Sequence, residues 1–353
     1  MPVQKISIQE FLLLAQKHTV LDVRSPAEYQ HAHIPGAISL PLFSDEERKI
    51  VGTCYKQKGR EAAIKIGLDY FGVKMRPMVE EVEKMVGSHG SKQLLVHCWR
   101  GGMRSAAVAW LLSLYGFDVY VMEGGYKVFR NWVLAQFEIA DHFKVVGGYT
   151  GSGKTPIIHA LQQAGKAIID LEALAHHKGS AFGALGEAPQ PKQEMFENLL
   201  ALELDKKRNT PQAAEGIWLE DESQRIGNLQ IPMALWYTIR RSPVYFLDIP
   251  FEARLDYITE HYGKFAQADL INAVLRIQKR LGGLETKNSV QYFLENKPAE
   301  SFRILLTYYD KWYFKGLHNR ENLSQILNKI PCTGVDTETN TKNLLACTTA
   351  STL

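Results

Sequence analysis

The run Gly148 to Thr155 reads G-x-x-x-x-G-K-T and constrains the fold more tightly than any other stretch of the chain. The apolar segment Phe143-Lys144-Val145-Val146 before it reads as a strand, and a helix is expected after it. A glycine-rich turn between strand and helix lets the backbone wrap an anion with its N–H groups pointing inward. In this reading Gly148, Gly151, Ser152 and Gly153 form the cradle, Lys154 neutralises phosphate charge, and the Thr155 hydroxyl holds a magnesium ion. Pro156 suits a first helical turn, whose N–H groups have no intrahelical partner to lose. A glycine turn used only for packing has no need of a lysine at that position.

A second stretch carries a different chemistry. Leu94-Leu95-Val96 reads as a buried strand and Ala106 to Leu114 as a buried helix, with His97-Cys98-Trp99-Arg100-Gly101-Gly102-Met103-Arg104-Ser105 between them. Cys98 thus sits on a strand-to-helix turn, where loop N–H groups, Arg100 and Arg104 favour the thiolate over the thiol. The same residues fit two nucleophiles: a sulfur-handling cysteine, and the cysteine-phosphatase loop with Arg104 holding phosphate oxygens. Upstream, a helix over Ile8 to Gln16, a strand over Thr19 to Val23 and a further helix alternate, which argues a parallel α/β sheet. Ligands of such sheets sit beyond the carboxyl ends of strands, where Asp22 and Cys98 both fall. Asp22 and Arg24 are read as a buried ion pair tying loops together.

Composition sets the outer limits. With 353 residues, two domains are expected; 41 basic against 38 acidic residues leave any nucleic-acid surface to be local rather than global. The four cysteines form no CxxC pair, so neither a disulfide framework nor a zinc site is expected. The chain starts without the apolar core of a signal peptide and has no membrane-length apolar run, so a cytoplasmic protein that does not engage membranes is expected. The expected domains are 1–136, 137–330 and a poorly ordered, Thr/Asn/Ser-rich tail at 331–353.

Within the second domain, Lys166 to Glu172, Gly216 to Ser223 and Val244 to Asp248 read as strands ending in carboxylates. Asp170, Glu220 and Asp221 are candidates to contact magnesium through water, or to cap helices. The loop His176 to Gly183, with Lys178 and Ser180, is read as substrate-contacting or as a solvated turn. From Pro250 the chain is expected to be mostly helical. Nine Lys/Arg and four Asp/Glu between Ile271 and Arg320, with aromatics from Tyr292 to Phe314 among them, fit an amphipathic bundle better than an RNA grip.

Three motifs in order, DVRSPAEY from Asp22, HAHIPGAISLP from His31 and the strand-borne Cys98, resemble the rhodanese domain over about residues 5 to 130. EGGY from Glu123 resembles its closing turn. The union with the phosphate-binding loop is similar to the tRNA 2-selenouridine synthase family. YKQKG from Tyr55, the HCWRGGMRS loop, EGGYKVFR, GSGKT, DLEALAHHKGSAFG from Asp170 and WLEDESQRIG from Trp218 carry that likeness. His97 and Lys178 depart from it, where Tyr and Arg are expected. The resemblance implies an α/β protein: a rhodanese-like parallel-sheet domain and a P-loop NTPase-like domain with a helical C-terminal part. It implies conversion of wobble 2-thiouridine in tRNA to 2-selenouridine, by S-geranylation with geranyl diphosphate and then selenium transfer from selenophosphate. Cys98, Arg100 and Arg104 would be catalytic, and a selenophosphate-supplying enzyme a partner. No tightly bound cofactor is expected; magnesium is the ion that the Thr155 hydroxyl can hold. Two other readings of the residues stay open: a cysteine phosphatase fused to a nucleotide-binding module, and a non-catalytic RNA-binding ATPase.

Overall fold

The computed structural model describes residues 3–87 and 91–350. The chain divides into two compact units, Met1–Ala135 and Gln136–Leu353. Among the described residues no helix is long and apolar enough to cross a membrane.

In the first unit, strands β1 (Gln4–Ile6), β2 (Thr19–Asp22), β3 (Ile38–Ser39), β4 (Gln93–His97) and β5 (Asp118–Met122) form one sheet in the order β1-β5-β4-β2-β3. Every neighbouring pair is parallel, so helices must carry the chain back between strands. The centre of β4 is apolar because both faces are covered: Leu94, Leu95 and Val96 have no exposure. The helix after it, Met103–Tyr115, buries Val108, Ala109 and Leu112 against the sheet. It is only half-buried, however, for Trp110 and Leu114 face solvent. Asp22 pairs in register with His97, so the ends of β2 and β4 lie side by side and Cys98 leaves the sheet beside Asp22. Among the described residues three helices run between β3 and β4, the first started by a capping box in which the Ser44 and Glu47 side chains each accept the other's backbone N–H.

In the second unit β6 (Phe143–Gly148), β7 (Ile217–Glu220), the two-residue strands β8 (Arg225–Ile226) and β9 (Leu229–Gln230), β10 (Val244–Asp248) and β11 (Leu327–Pro331) follow in chain order. β8 and β9 make a separate antiparallel pair. The rest form a parallel sheet in the order β11-β10-β6-β7. After β6 the chain goes first to β7 on one side and later to β10 on the other. The loop at the end of β6 therefore sits where the strand order reverses, the place where such sheets open a crevice. Helices Phe251–Tyr262, Gln267–Leu281, Gly283–Leu294 and Pro298–His318 pack around their own core of Leu255, Leu270, Val274, Phe293, Phe302 and Leu305. Two of the aromatics that alternate with basic residues, Phe293 and Phe302, are thus core, as the bundle reading expects.

Two expectations are corrected. Lys166 to Glu172 is no strand: Ile168 makes a single bridge to Trp218, and helix Leu171–Ala175 begins at once because Asp170 caps it. The segment expected to be a disordered tail from 331 is folded as far as it is described. Pro331 completes β11, and helix Thr337–Ala350 follows with the Asp336 carboxylate accepting from Thr339 N–H. Its polar composition hides one narrow apolar stripe. Leu344 and Cys332 join the core of Val146, Ile157, Ile158 and Leu161. Buried Asn340 and Thr341 donate to the Gly334 and Thr337 carbonyls, so both side chains have partners.

Candidate active sites: a cysteine loop and a phosphate-binding cleft

Cys98 lies just past β4, only 2% exposed, with Sγ 3.2 Å from Ser105 Oγ. The Ser105 hydroxyl can donate to the Gly102 carbonyl at 3.1 Å, leaving its oxygen to accept from a thiol; turned round, it donates to a thiolate. The sulfur thus has a partner in either protonation state. The loop is braced from behind: Tyr126 N–H donates to the Cys98 carbonyl at 2.8 Å and Lys127 N–H to that of Trp99 at 2.9 Å. A Cβ on Gly125 would sit 2.3 Å from the Cys98 carbonyl oxygen and 2.4 Å from Gly101 N, which is why this turn requires glycine. Helix Met103–Tyr115 begins directly after the loop, so its first N–H groups have no partner within the helix. Trp99 and Met103 are exposed beside the cysteine.

The two arginines diverge. Arg100 is exposed on the loop, whereas Arg104 Nη1 donates to Glu28 at 2.7 Å. Burial pushes the Glu28 carboxyl up, but Arg104, Ser25 N–H and Arg48 outweigh it and hold it below its ordinary value. Arg104 therefore anchors the first helical turn to Glu28 while adding positive charge near the loop.

Beneath the loop, Arg24 and Asp22 form the expected buried pair at 2.6 Å, and Arg24 also donates to the Ala32 carbonyl and lies over the Tyr126 ring. Removing one partner of such a pair costs about 3–5 kcal/mol. His97, fully buried between Phe11 and Tyr126, has its pKa lowered to about 4. Burial is the main cause, with Asp22 opposing it and Arg24 adding to it. The folded chain keeps this ring neutral, while the unfolded chain binds its proton below about 6.5. Its contribution is complete above that pH and is lost as pH falls toward 4. Urea unfolding of the first unit is expected to weaken by on the order of 3 kcal/mol across that window. His97→Phe should flatten this part of the profile; an unchanged slope would contradict the assignment.

In the second unit the loop after β6 is shaped as a cradle. Gly151 and Gly153 have φ of 82° and 70°, and the backbone turns through them into helix Lys154–Gln163. Ser152 is buried and its Oγ has no hydrogen-bond partner among the described residues. Lys154 Nζ rests 3.2 Å from the Gly148 carbonyl. The Thr155 hydroxyl donates to Glu172 at 2.7 Å. Gly148 N–H donates to Tyr313 Oη at 3.1 Å, and that hydroxyl donates to Asp221 at 2.7 Å; Arg320 holds the other Asp221 oxygen.

The candidate carboxylates separate by role. Asp170 caps helix Leu171–Ala175 through Ala173 N–H and bonds His159 at 2.7 Å, so its cap reading holds. Asp221 is occupied by Tyr313 and Arg320. Glu220 is fully buried, and neither carboxyl oxygen has a partner among the described residues. Burial, then the charges of Glu172, Asp170 and Glu222, raise its pKa well above the ordinary range. Glu222 is raised likewise by burial and by Glu172, and Glu172 more modestly, by burial first. Three carboxyls so close cannot all ionise without a cation, and the charge of Lys154 opposes the upward shift of each.

The loop opens on a cleft of about 840 Å³. Lys178 and Ser180 line it, with Lys178 paired to Glu187 at 3.0 Å. Ile258, Phe302, Leu305, Leu306, Tyr308 and Tyr309 form an apolar wall of the cleft. Sequence reasoning missed Glu172, Glu222, Tyr313 and this wall. The acids were visible as WLEDES and DLE, but Tyr313 lies 165 residues from the glycine it meets.

A cysteine loop on one parallel sheet and a glycine-rich cradle on a second define a two-unit α/β protein that joins a rhodanese-type unit to a P-loop-type unit. Matches to known families agree with each half: a rhodanese-like domain model covers residues 7–131. A model described as the tRNA 2-selenouridine synthase AAA domain covers residues 141–329. Relatives described as tRNA 2-selenouridine synthase include one from Sulfurovum sp. (strain NBC37-1), 34% identical over 87% of this chain and 90% of the relative. Another, from Hydrogenovibrio crunogenus, is 36% identical over 83% of this chain and 88% of its own length. The chain belongs to the tRNA 2-selenouridine synthase family.

Proposed function

We propose that the protein replaces the sulfur of a wobble 2-thiouridine in tRNA by selenium in two steps, with geranyl diphosphate and selenophosphate as co-substrates. In the first step the thiocarbonyl sulfur attacks C1 of geranyl diphosphate. The C–O bond breaks, diphosphate leaves, and the base loses its N3 proton. In the second step selenium of selenophosphate adds at C2 of the base, and the geranylated sulfur departs and takes up a proton. Water then cleaves the P–Se bond and releases phosphate. Selenium enters at the oxidation level at which sulfur leaves, so the exchange needs no oxidant. A selenosulfide on Cys98 would need one. Cys98 therefore acts on the departing thiol, giving its proton while Ser105 turns to the thiolate.

The observation that carries this reading is the phosphate cradle opening on an apolar cleft, in a chain that also holds a braced, buried cysteine. Gly151, Ser152, Gly153 and Lys154 would hold the diphosphate as it gathers charge on leaving. Among the described residues no cluster of three His, Cys, Asp or Glu is arranged to hold a metal ion. The Thr155 hydroxyl and the Glu172 carboxylate, with the unpartnered Glu220 carboxyl, would hold a magnesium ion together with substrate phosphates. When bound, that ion would neutralise phosphate charge. The selenophosphate-supplying enzyme is the partner this chemistry requires. A cysteine phosphatase would also use the loop, but Arg104 is committed to Glu28 rather than turned to an anion beside Cys98.

The test is one incubation of the protein with 2-thiouridine tRNA, geranyl diphosphate, selenophosphate and magnesium, read by nucleoside mass. Selenouridine is expected. Unchanged 2-thiouridine, or phosphate release from a simple aryl phosphate at enzymatic rates, would overturn the reading.

A further inference from the structure

We propose that the helical wall of the phosphate cleft seats the hydrocarbon chain of the diphosphate substrate and measures its length. The inference rests on the prenyl transfer proposed above and locates it. Ile258, Phe302, Leu305 and Leu306 line the cleft, yet all four belong to the buried core of the second unit's helices. The cleft is therefore an opening into a hydrophobic core. An apolar cavity left open gives up dispersion contacts, and a hydrocarbon restores them.

This wall abuts the cradle. A Cβ on Gly151 would lie 2.7 Å from Ile258 Cδ1, so the phosphate loop and the apolar surface touch at that residue. A diphosphate held on the loop would have its ester carbon at the start of the wall. These apolar side chains bring no carboxylate or amide, although Lys264 and Arg280 line the same cleft. Tyr309 is neutral there, because burial pushes its hydroxyl up, and that hydroxyl already accepts from Ala181 N–H. A hydrocarbon finds few competing polar groups on such a surface, whereas a sugar would leave its hydroxyls without partners. Sites of about 300–1,000 Å³ enclose whole small ligands. At about 840 Å³ the cleft has room for a ten-carbon diphosphate and for the thiolated base that must approach its C1.

Each buried methylene tightens binding about fourfold, so removing five carbons should cost up to about a thousandfold. The experiment measures alkylation of 2-thiouridine tRNA by the full chain with dimethylallyl, geranyl or farnesyl diphosphate, in the presence of magnesium. The wild type is expected to favour geranyl over dimethylallyl diphosphate by at least about a hundredfold in kcat/KM. Leu305→Trp, which fills the seat, should lower that ratio at least tenfold and leave inhibition by inorganic pyrophosphate unchanged. Leu306→Phe serves as the milder variant if Leu305→Trp fails to bind pyrophosphate. Wild-type alkylation with a ratio that neither variant moves would overturn the seat alone. Competition by ATP that weakens in parallel in the variants would assign the wall to a nucleobase and overturn it too. Failure of the wild type with all three diphosphates would overturn the prenyl-transfer reading beneath it.

Discussion

Lys154→Ala should lower kcat/KM for geranyl diphosphate by about a hundredfold or more, without unfolding the chain. The lysine stands at the first turn of its helix, with its ammonium 3.2 Å from the Gly148 carbonyl. From there it can swing onto a phosphate placed in the cradle. Hydrogen bonds to charged groups contribute about 1.5–3 kcal/mol each, and the ammonium can make more than one. Loss of two such contacts at the lower figure already exceeds a hundredfold. A second consequence follows from its neighbours. Lys154 is the cation that opposes the upward shifts of Glu172, Glu220 and Glu222, so the variant's acids should hold their protons to still higher pH. Steady-state kinetics with each phosphate substrate measure the first effect. Equal constants for wild type and variant with both substrates would remove the cradle from the mechanism.

Cys98→Ala should stop selenouridine formation, by about a thousandfold or more, while S-geranyl-2-thiouridine accumulates. The two effects separate because the cysteine and the cradle are built on different sheets of different units. The alanine variant loses the thiol that, in the proposed second step, gives its proton to the departing sulfur, with Ser105 and the bracing Tyr126 and Lys127 amides left in place. Nucleoside mass after incubation with both co-substrates is the readout. Full selenation by the variant would deny Cys98 its role. Loss of both products would mean that the thiol also serves the first step.

What the sequence disclosed depended on the range of the interactions involved. The cradle was legible because glycines, lysine and threonine act through the backbone of their own eight residues. The cysteine turn was legible for the same reason, but the close approach of Gly125 to Cys98 and Gly101 from a later turn was not. Charge was legible in amount but not in direction: two arginines flank Cys98, yet only the fold shows Glu28 capturing Arg104. Tyr313 reaches Gly148 across 165 residues, and no local pattern announces such a pairing. The C-terminal helix was missed because one leucine stripe in a Thr- and Asn-rich segment is too thin to read as amphipathic. It is stabilised by a core supplied from β6 and helix Lys154–Gln163. Asp170 looked like the end of a strand because a helix cap and a strand-end acid share one sequence signature.

The order of the two steps is the centre of this account, and leaving out one substrate at a time tests it most directly. With wild-type protein, 2-thiouridine tRNA and geranyl diphosphate but no selenophosphate, the nucleoside should gain the mass of one geranyl group in exchange for one proton. With selenophosphate alone it should remain 2-thiouridine. Selenouridine formed without any prenyl diphosphate would contradict the account.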